Sequence, residues 1–336
     1  MARSRDNSLI VTRTPLRVSL IGGGSDMPEF YRKSGRGSVI SLGLGKYIYV
    51  VVKKHAKIFN EAYRISYSKT EVTKKLDDIQ NNVIRECLRF ANIQESLYVS
   101  TFSDIPAASG LGSSSCLAVG LLNALYAYKG KNVTRHQLAE EACEVEINRM
   151  GQPIGKQDQY AAAFGGFHQY EFLGNGSVNV RGVSLPDEYL DEVLQHGTLY
   201  WTGLTRNVEV ILAEQRKNFS CGKQQEVQTV MEMVEEFRSA LETGASPERL
   251  AGIVDRSWAL KKKFSKTVSN SVIDEHYAKA MQVGAYGGKI CGGGGGGFLL
   301  LFHPSRLRKS IEEAAGFQFH IPLDMDFSGT EILVSV

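Results

Sequence analysis

The sequence has almost no excess of charge of one sign: 39 Lys and Arg face 36 Asp and Glu, a net charge of +3 over 336 residues. So small a surplus lends no support to nucleic acid or a membrane surface as a partner. Long hydrophobic runs are missing too. No stretch approaches the ~18 apolar residues of a membrane span, and the polar Met1–Asn7 leads into no apolar segment of signal-peptide length. Cysteine is sparse and unpaired in pattern. Cys87, Cys116, Cys143, Cys221 and Cys291 are odd in number and scattered, with no CxxC spacing. That disfavours a disulfide framework or a zinc site and fits a reducing, cytoplasmic setting. No repeat of solenoid length is visible. With 43% hydrophobic and 22% charged residues, the expectation is a soluble globular chain long enough for two domains.

Glycine is what the sequence has in quantity, with 34 copies gathered in a few places. Pro106-Ala107-Ala108-Ser109-Gly110-Leu111-Gly112-Ser113-Ser114-Ser115 runs directly into an apolar segment. Glycines let a backbone approach an anion, and the N-terminus of a following helix turns free N–H groups toward it. Serine hydroxyls suit phosphate oxygens or an accompanying metal. The segment therefore points toward a nucleoside triphosphate, against the alternative of a flexible loop before a helix. The two familiar nucleotide motifs are absent. The third glycine position of a dinucleotide fingerprint holds Ser115, and Gly288-Lys289 has Val283 and Ile290 where a P-loop needs Gly and Ser or Thr.

Periodicity places the elements. Leu9–Ile21, Tyr47–Val52, Leu97–Phe102 and Phe298–Phe302 read as strands, and Phe167–Phe172 with Ser177–Val180 as a hairpin. Residues 115–128 are apolar nearly all round, the pattern of a buried helix. Thr134 and Gln137 fit a capping box opening a helix to about Met150. Three further helices are expected: one carrying Val227 to Leu241, then Pro247–Phe264 and Ser271–Val283. The fold class is α+β, divided into residues 1–188 and 189–336.

Several polar residues stand out against this background. Glu146 shares a helical stripe with Ala139, Cys143 and Met150 and so points inward, whereas Glu140 and Glu144 share a polar face expected to meet water. An inward carboxylate needs a salt-bridge partner or a cation. Asp158, before Ala161-Ala162-Ala163, is either an N-cap or the acceptor of a substrate proton. Arg17, inside an apolar strand, demands a carboxylate or phosphate. Asp26 follows Gly22-Gly23-Gly24-Ser25 and is either a turn former or an acceptor for substrate hydroxyls. Gly292–Gly297, flanked by a strand, reads as a glycine hairpin passing close to another backbone or a ligand.

Together, Thr14–Asp26, Pro106–Ser115 and Lys289–Phe298 resemble the three motifs of the GHMP small-molecule kinases, in the same order along the chain. The resemblance implies an N-terminal domain like ribosomal-protein S5 domain 2, a ferredoxin-like C-terminal domain, and ATP with Mg²⁺ as cofactors. Within that superfamily, Gly22–Asp26, Gly155–Gly166 and Thr202-Gly203-Leu204-Thr205-Arg206 look most like the D-glycero-D-manno-heptose 7-phosphate kinases, with L-fucokinases as nearest competitor. This closer resemblance implies phosphorylation of the anomeric hydroxyl to a 1,7-bisphosphate for surface polysaccharide synthesis. The alternatives are another sugar 1-kinase, a non-catalytic sugar-binding regulator of the same fold and, more weakly, an ATP-dependent decarboxylase. Carried over by position, Pro106 and Ser109 through Ser115 would bind ATP, and Ser114 and Glu146 would hold magnesium. Asp158 would face the attacking hydroxyl, with Arg17 beside it stabilising developing charge. Gly23, Gly24, Ser25, Asp26, Arg206, Gly294 and Gly295 would contact the sugar phosphate, with Arg64, Lys69 and Arg85 as further cations to consider for its phosphate. Galactokinases carry Glu-His where this chain has Gly23-Gly24, so galactose contacts through those side chains are excluded. The expected assembly is a monomer or homodimer with small-molecule partners, without nucleic acid or membrane.

Overall fold

The first strand, β1 (Leu9–Ile21), changes character midway, alternating between half-buried and buried residues and then staying buried to its end. Its first half behaves as a sheet face, and its second half lies covered on both sides, where Arg17 is held. The computed structural model describes residues 8–56, 58–205, 208–220 and 224–336. After β1 come α1 (Pro28–Ser34), the long β2 (Arg36–Lys54), β3 (Tyr63–Ser66), β4 (Thr70–Thr73), α2 (Asn82–Phe90) and β5 (Leu97–Ser103). Next are α3 (Ser113–Tyr128), α4 (Arg135–Cys143), a π-helical stretch (Glu144–Arg149), α5 (Gln157–Phe164), β6 (Phe167–Leu173) and β7 (Val178–Gly182). The chain continues through α6 (Asp187–His196), β8 (Gly197–Trp201), α7 (Val208–Ser220), α8 (Gln224–Glu242), α9 (Pro247–Lys261) and α10 (Ser271–Val283). It closes with β9 (Gly287–Ile290), β10 (Phe298–Phe302), α11 (Arg308–Ala315), β11 (His320–Pro322) and β12 (Glu331–Ser335).

An eight-stranded sheet has the order β12-β1-β2-β5-β3-β4. The length of β2 lets it serve two neighbours along one edge: residues 48–54 pair with β5, and residues 36–42 pair with β6, which carries β7. The second sheet is antiparallel, ordered β11-β8-β10-β9, with helices between β8 and β9 and between β10 and β11. That is the ferredoxin-like arrangement. Glu331–Ser335 pairs with β1 rather than with the second sheet, so the last strand of residues 189–336 completes the first sheet. The end of the chain is exposed and apolar in places, and the edge beside β1 is what receives its backbone hydrogen bonds.

Helix α3 is the core of the first half. Ala118, Val119, Leu121, Leu122, Ala124 and Leu125 are fully buried, and the helix lies against both β1 and β2. Thr12 Oγ1 donates to the Gly120 carbonyl at 2.9 Å, tying helix to sheet. Thr134 caps α4 by accepting from the Gln137 N–H, as the capping box predicts, but the helix does not run on as regular α structure. It widens into the π-helical stretch at Glu144, which carries Glu146 inward. Glu140 also departs from expectation. Instead of facing water alone, it receives Lys156 Nζ through both oxygens and the Tyr160 hydroxyl, so it helps fix the start of α5.

The six-glycine run packs against the serine loop. Phe298 N–H donates to the Ser109 carbonyl at 3.1 Å. Gly297 has φ +87°, and a Cβ there would lie 2.2 Å from Ser109 O. Gly297→Ala should therefore cost about 2–3 kcal/mol of stability, through both left-handed strain and the lost close approach. Urea denaturation measures it, and an unmoved midpoint would contradict this reading of the contact.

Candidate active site

Arg17 projects from the doubly covered half of β1, where its guanidinium has three acceptors. Nε donates to Asp158 Oδ1 at 2.8 Å and one terminal nitrogen to Asp158 Oδ2 at 2.6 Å. The other terminal nitrogen donates to the Gly110 carbonyl at 2.7 Å. The fork thus joins β1, the first turn of α5 and the serine loop. Burial alone would lower the Arg17 pKa; the Asp158 charge and hydrogen bond outweigh it and raise the pKa above its ordinary value. Arg17 stays cationic, and the bidentate geometry holds Asp158 in one orientation.

On one side of this pair lies a cleft lined by Ser109, Gly110, Gly112, Ser113, Ser114 and Ser115, with Glu146 at its wall. Helix α3 opens there on Gly112 with no side-chain cap, so its first N–H groups face the cleft, as an anion site requires. Glu146 is fully buried and accepts from Ser114 Oγ at 2.6 Å, Ser115 Oγ at 2.7 Å and Gln159 Nε2 at 2.7 Å. Burial pushes its pKa up, the three hydrogen bonds pull it back, and Asp158 adds a further upward push. Ser109 Oγ, Ser113 Oγ and Gln159 Oε1 are buried here without a hydrogen-bond partner among the described residues. A desolvated carboxylate among hydroxyl and amide oxygens is a donor set suited to a hard divalent cation. Among the described residues no cluster of three or more His, Cys, Asp or Glu gathers as a metal site. Magnesium needs none, because it takes one or two carboxylates and completes its shell with phosphate and water.

On the other side lies a second cavity, which shares Arg17, Asp158, Ile154, Leu212, Gly292 and Gly293 with the first. Gly23, Gly24 and Asp26 line it. Asp26 is buried, accepts from Gly24 N–H at 3.0 Å and Gln157 N–H at 3.4 Å, and so both shapes its turn and faces the cavity. Its pKa is raised by burial and then by the charge of Asp158. The approach of α5 to Asp26 depends on Gly155, where a Cβ would sit 2.0 Å from Asp26 Oδ2.

Not every expected residue reaches these cavities. Pro106 is exposed outside the cleft. Leu111 is core, contributing only its carbonyl to the Arg17 N–H. Ser25 is turned inward, its hydroxyl donating to the Gly22 and Ser38 carbonyls. In the glycine run, Gly294 and Gly295 pack on Val268, and it is Gly292 and Gly293 that line both cavities. Arg64 and Arg85 are engaged by Glu61 and by Ile79 O with Asn82, and neither they nor Lys69 line either of these two cavities. Arg206 lies outside the described residues.

Sequence reasoning missed Ser19, Gln157, Gln159, Leu212, Gln215 and Lys261. Gln157 and Gln159 flank Asp158, and that adjacency was a usable signal. Lys261 gave none: in Lys261-Lys262-Lys263 it reads as a solvated helix end, yet it is 7% exposed. Lys289, rejected as a P-loop lysine, is buried as a strut. Its Nζ donates to the Ser19 carbonyl at 2.7 Å, and burial lowers its pKa to about 8.

Comparison with known proteins places this geometry in context. Residues 79–166 match the profile of the GHMP kinases N terminal domain, and residues 229–320 that of the GHMP kinases C terminal domain. The chain is 33% identical to a D-glycero-alpha-D-manno-heptose 7-phosphate kinase of Campylobacter jejuni, over 92% of this chain and 94% of that one. It is 26% identical to a Bacteroides fragilis L-fucokinase/L-fucose-1-P guanylyltransferase, over 62% of this chain and 25% of that one. The crystal structure of a D-glycero-D-manno-heptose 1-phosphate kinase from Bacteroides thetaiotaomicron superposes with a TM-score of 0.77 at 23% identity, covering 97% of this chain and 99% of that one. At that identity the superposition speaks for the fold.

The ion pair makes a stability prediction. Arg17→Met leaves Asp158 and the Gly110 carbonyl without their donor in a buried setting and should cost about 3 kcal/mol. A denaturation midpoint equal to that of the wild type would show that the pair is not buried as described.

Proposed function

Because the chain belongs to the GHMP kinases, we infer that it transfers the γ-phosphoryl group of ATP to O1 of D-glycero-D-manno-heptose 7-phosphate, giving the 1,7-bisphosphate. The observation that carries this reading is a pair of adjoining cavities whose shared wall is the Arg17–Asp158 pair. One cavity offers the anion-binding start of α3, the other carboxylate and amide groups suited to a polyhydroxylated ligand. The near-full-length likeness to a heptose 7-phosphate kinase supports the choice of sugar.

Each residue has a distinct task in this reaction. Gly110, Gly112 and Ser113–Ser115 hold the triphosphate, with backbone N–H groups and the α3 dipole facing it. Ser114 and Glu146 would hold Mg²⁺, which would supply positive charge against the triphosphate. Asp26 accepts hydrogen bonds from sugar hydroxyls and orients the ring. Asp158 receives the proton of the attacking hydroxyl as its oxygen bonds to phosphorus and the bond from phosphorus to the ADP leaving oxygen breaks. Arg17 keeps Asp158 aimed and adds positive charge beside the reacting centre. Transfer is direct and in line, without a phosphoenzyme. A cytoplasmic setting agrees with the supply of ATP, and no helix among the described residues is long and apolar enough to cross a membrane.

Asp158→Asn should lower kcat by about 10²- to 10⁴-fold while nucleotide affinity stays close to wild type. Turnover at the wild-type rate would remove Asp158 from its role. Glu146→Gln should weaken binding of Mg-ATP far more than of metal-free ATP, measured by calorimetry with and without magnesium. The sugar is tested by offering heptose 7-phosphate, mannose, fucose and galactose with Mg-ATP and reading the phosphorylated position by NMR. Preference for an unphosphorylated sugar would overturn the heptose phosphate assignment and leave the kinase standing.

A further inference from the structure

The sugar-side cavity contains a cluster that the transfer step leaves unused. A Cβ built on Gly23 would lie 3.8 Å from each of Gln157 Nε2, Lys261 Nζ and Ser19 Oγ. Three polar atoms on three separate elements therefore converge over one glycine. All three residues line the cavity. Ser19 Oγ and Gln157 Oε1 are buried with no hydrogen-bond partner among the described residues, so both are free to bond a ligand that enters the cavity. Gly23 does not adopt a positive φ, so its lack of a side chain is not a demand of the backbone. Its consequence is that no side chain of its own fills the cavity floor, where even a Cβ would already touch the three polar atoms at van der Waals distance.

The charges sort what can occupy that space. Asp26 and Asp158 favour hydroxyls and repel anions. The Arg17 guanidinium is committed to Asp158 and the Gly110 carbonyl. Among the described residues Lys261 is the other cation lining the cavity, held in place by donating to the Gly292 carbonyl at 2.6 Å. A buried ammonium beside a serine hydroxyl and an amide N–H is a donor set for a phosphate monoester. Gln157 Oε1, an acceptor, suits a hydroxyl next to that ester.

We propose that Ser19, Gln157 and Lys261, converging over Gly23, form the subsite that takes the phosphate group already carried by the sugar. Lys261 is then the residue that makes the enzyme select a sugar phosphate over a free sugar. The proposal rests on the heptose phosphate reading above and deepens it.

The experiment compares kcat/KM for heptose 7-phosphate and for the same heptose without phosphate. In the wild type the ratio favours the phosphorylated sugar. Lys261→Met should lower that ratio by about 10- to 100-fold, the loss of one charge-assisted contact, and Lys261→Arg should restore part of it. Gly23→Glu, which sets a carboxylate in the same space, should lower the ratio as well and gives an independent answer if Lys261→Met fails to fold. Equal losses on both sugars in these variants would assign Lys261 to bracing the Gly292 loop and overturn the subsite alone. A wild-type enzyme with no preference for the phosphorylated sugar would overturn the underlying reading, and the subsite with it.

Discussion

Everything at the active site depends on a single guanidinium. Arg17 binds the two oxygens of Asp158 and the carbonyl of Gly110 at once, so β1, α5 and the serine loop share one rigid point. A buried cation of this kind is costly to desolvate, and its cost is offset only while all three partners stay in place. That requirement makes the pair a device for position. It sets the wall between two cavities, and with it the relation that the proposed transfer needs between phosphate donor and acceptor.

The rest of the architecture serves to keep that point dry and fixed. Helix α3 fills the space over β1 and β2 and brings its uncapped N-terminus to the cleft. The π-helical stretch after α4 turns Glu146 beneath the serines. Lys156 and Tyr160 on Glu140 fasten the start of α5, so that Asp158 meets Arg17 squarely. From the second half of the chain, the glycine run lies against Ser109 and lends Gly292 and Gly293 to both cavities. The two halves meet at the site because glycine alone permits backbones to pass so closely.

Much of this was legible from local pattern. β1 and α10 have the expected ends, and the helix of Ser113–Tyr128 and the hairpin of β6 and β7 fall where apolar periodicity and turn residues place them. Arg17 and Glu146 were recognisable because a charge in an apolar stripe must be paired. Short or shielded features were not legible. α1 spans seven residues and begins after Met27 with no side-chain cap, so it carries little periodic signal. The terminal strand β12 has no buried residue and is defined by the edge it pairs with. Lys261 sits in a basic run whose neighbours are solvated, and only packing of α9 beneath the glycine loop buries it.

The sequence by itself determined the strand and helix periods, the glycine positions where backbones must pass closely, and the inward carboxylate and guanidinium that demand partners. These are local properties, set by side-chain chemistry over a few residues. Tertiary structure alone decided which partners meet: Arg17 with Asp158 across 141 positions, Lys261 with the Gly292 carbonyl, and the last strand with the first. The reason is physical. Burial and charge pairing between distant segments depend on how elements pack, and no short window of residues contains that information.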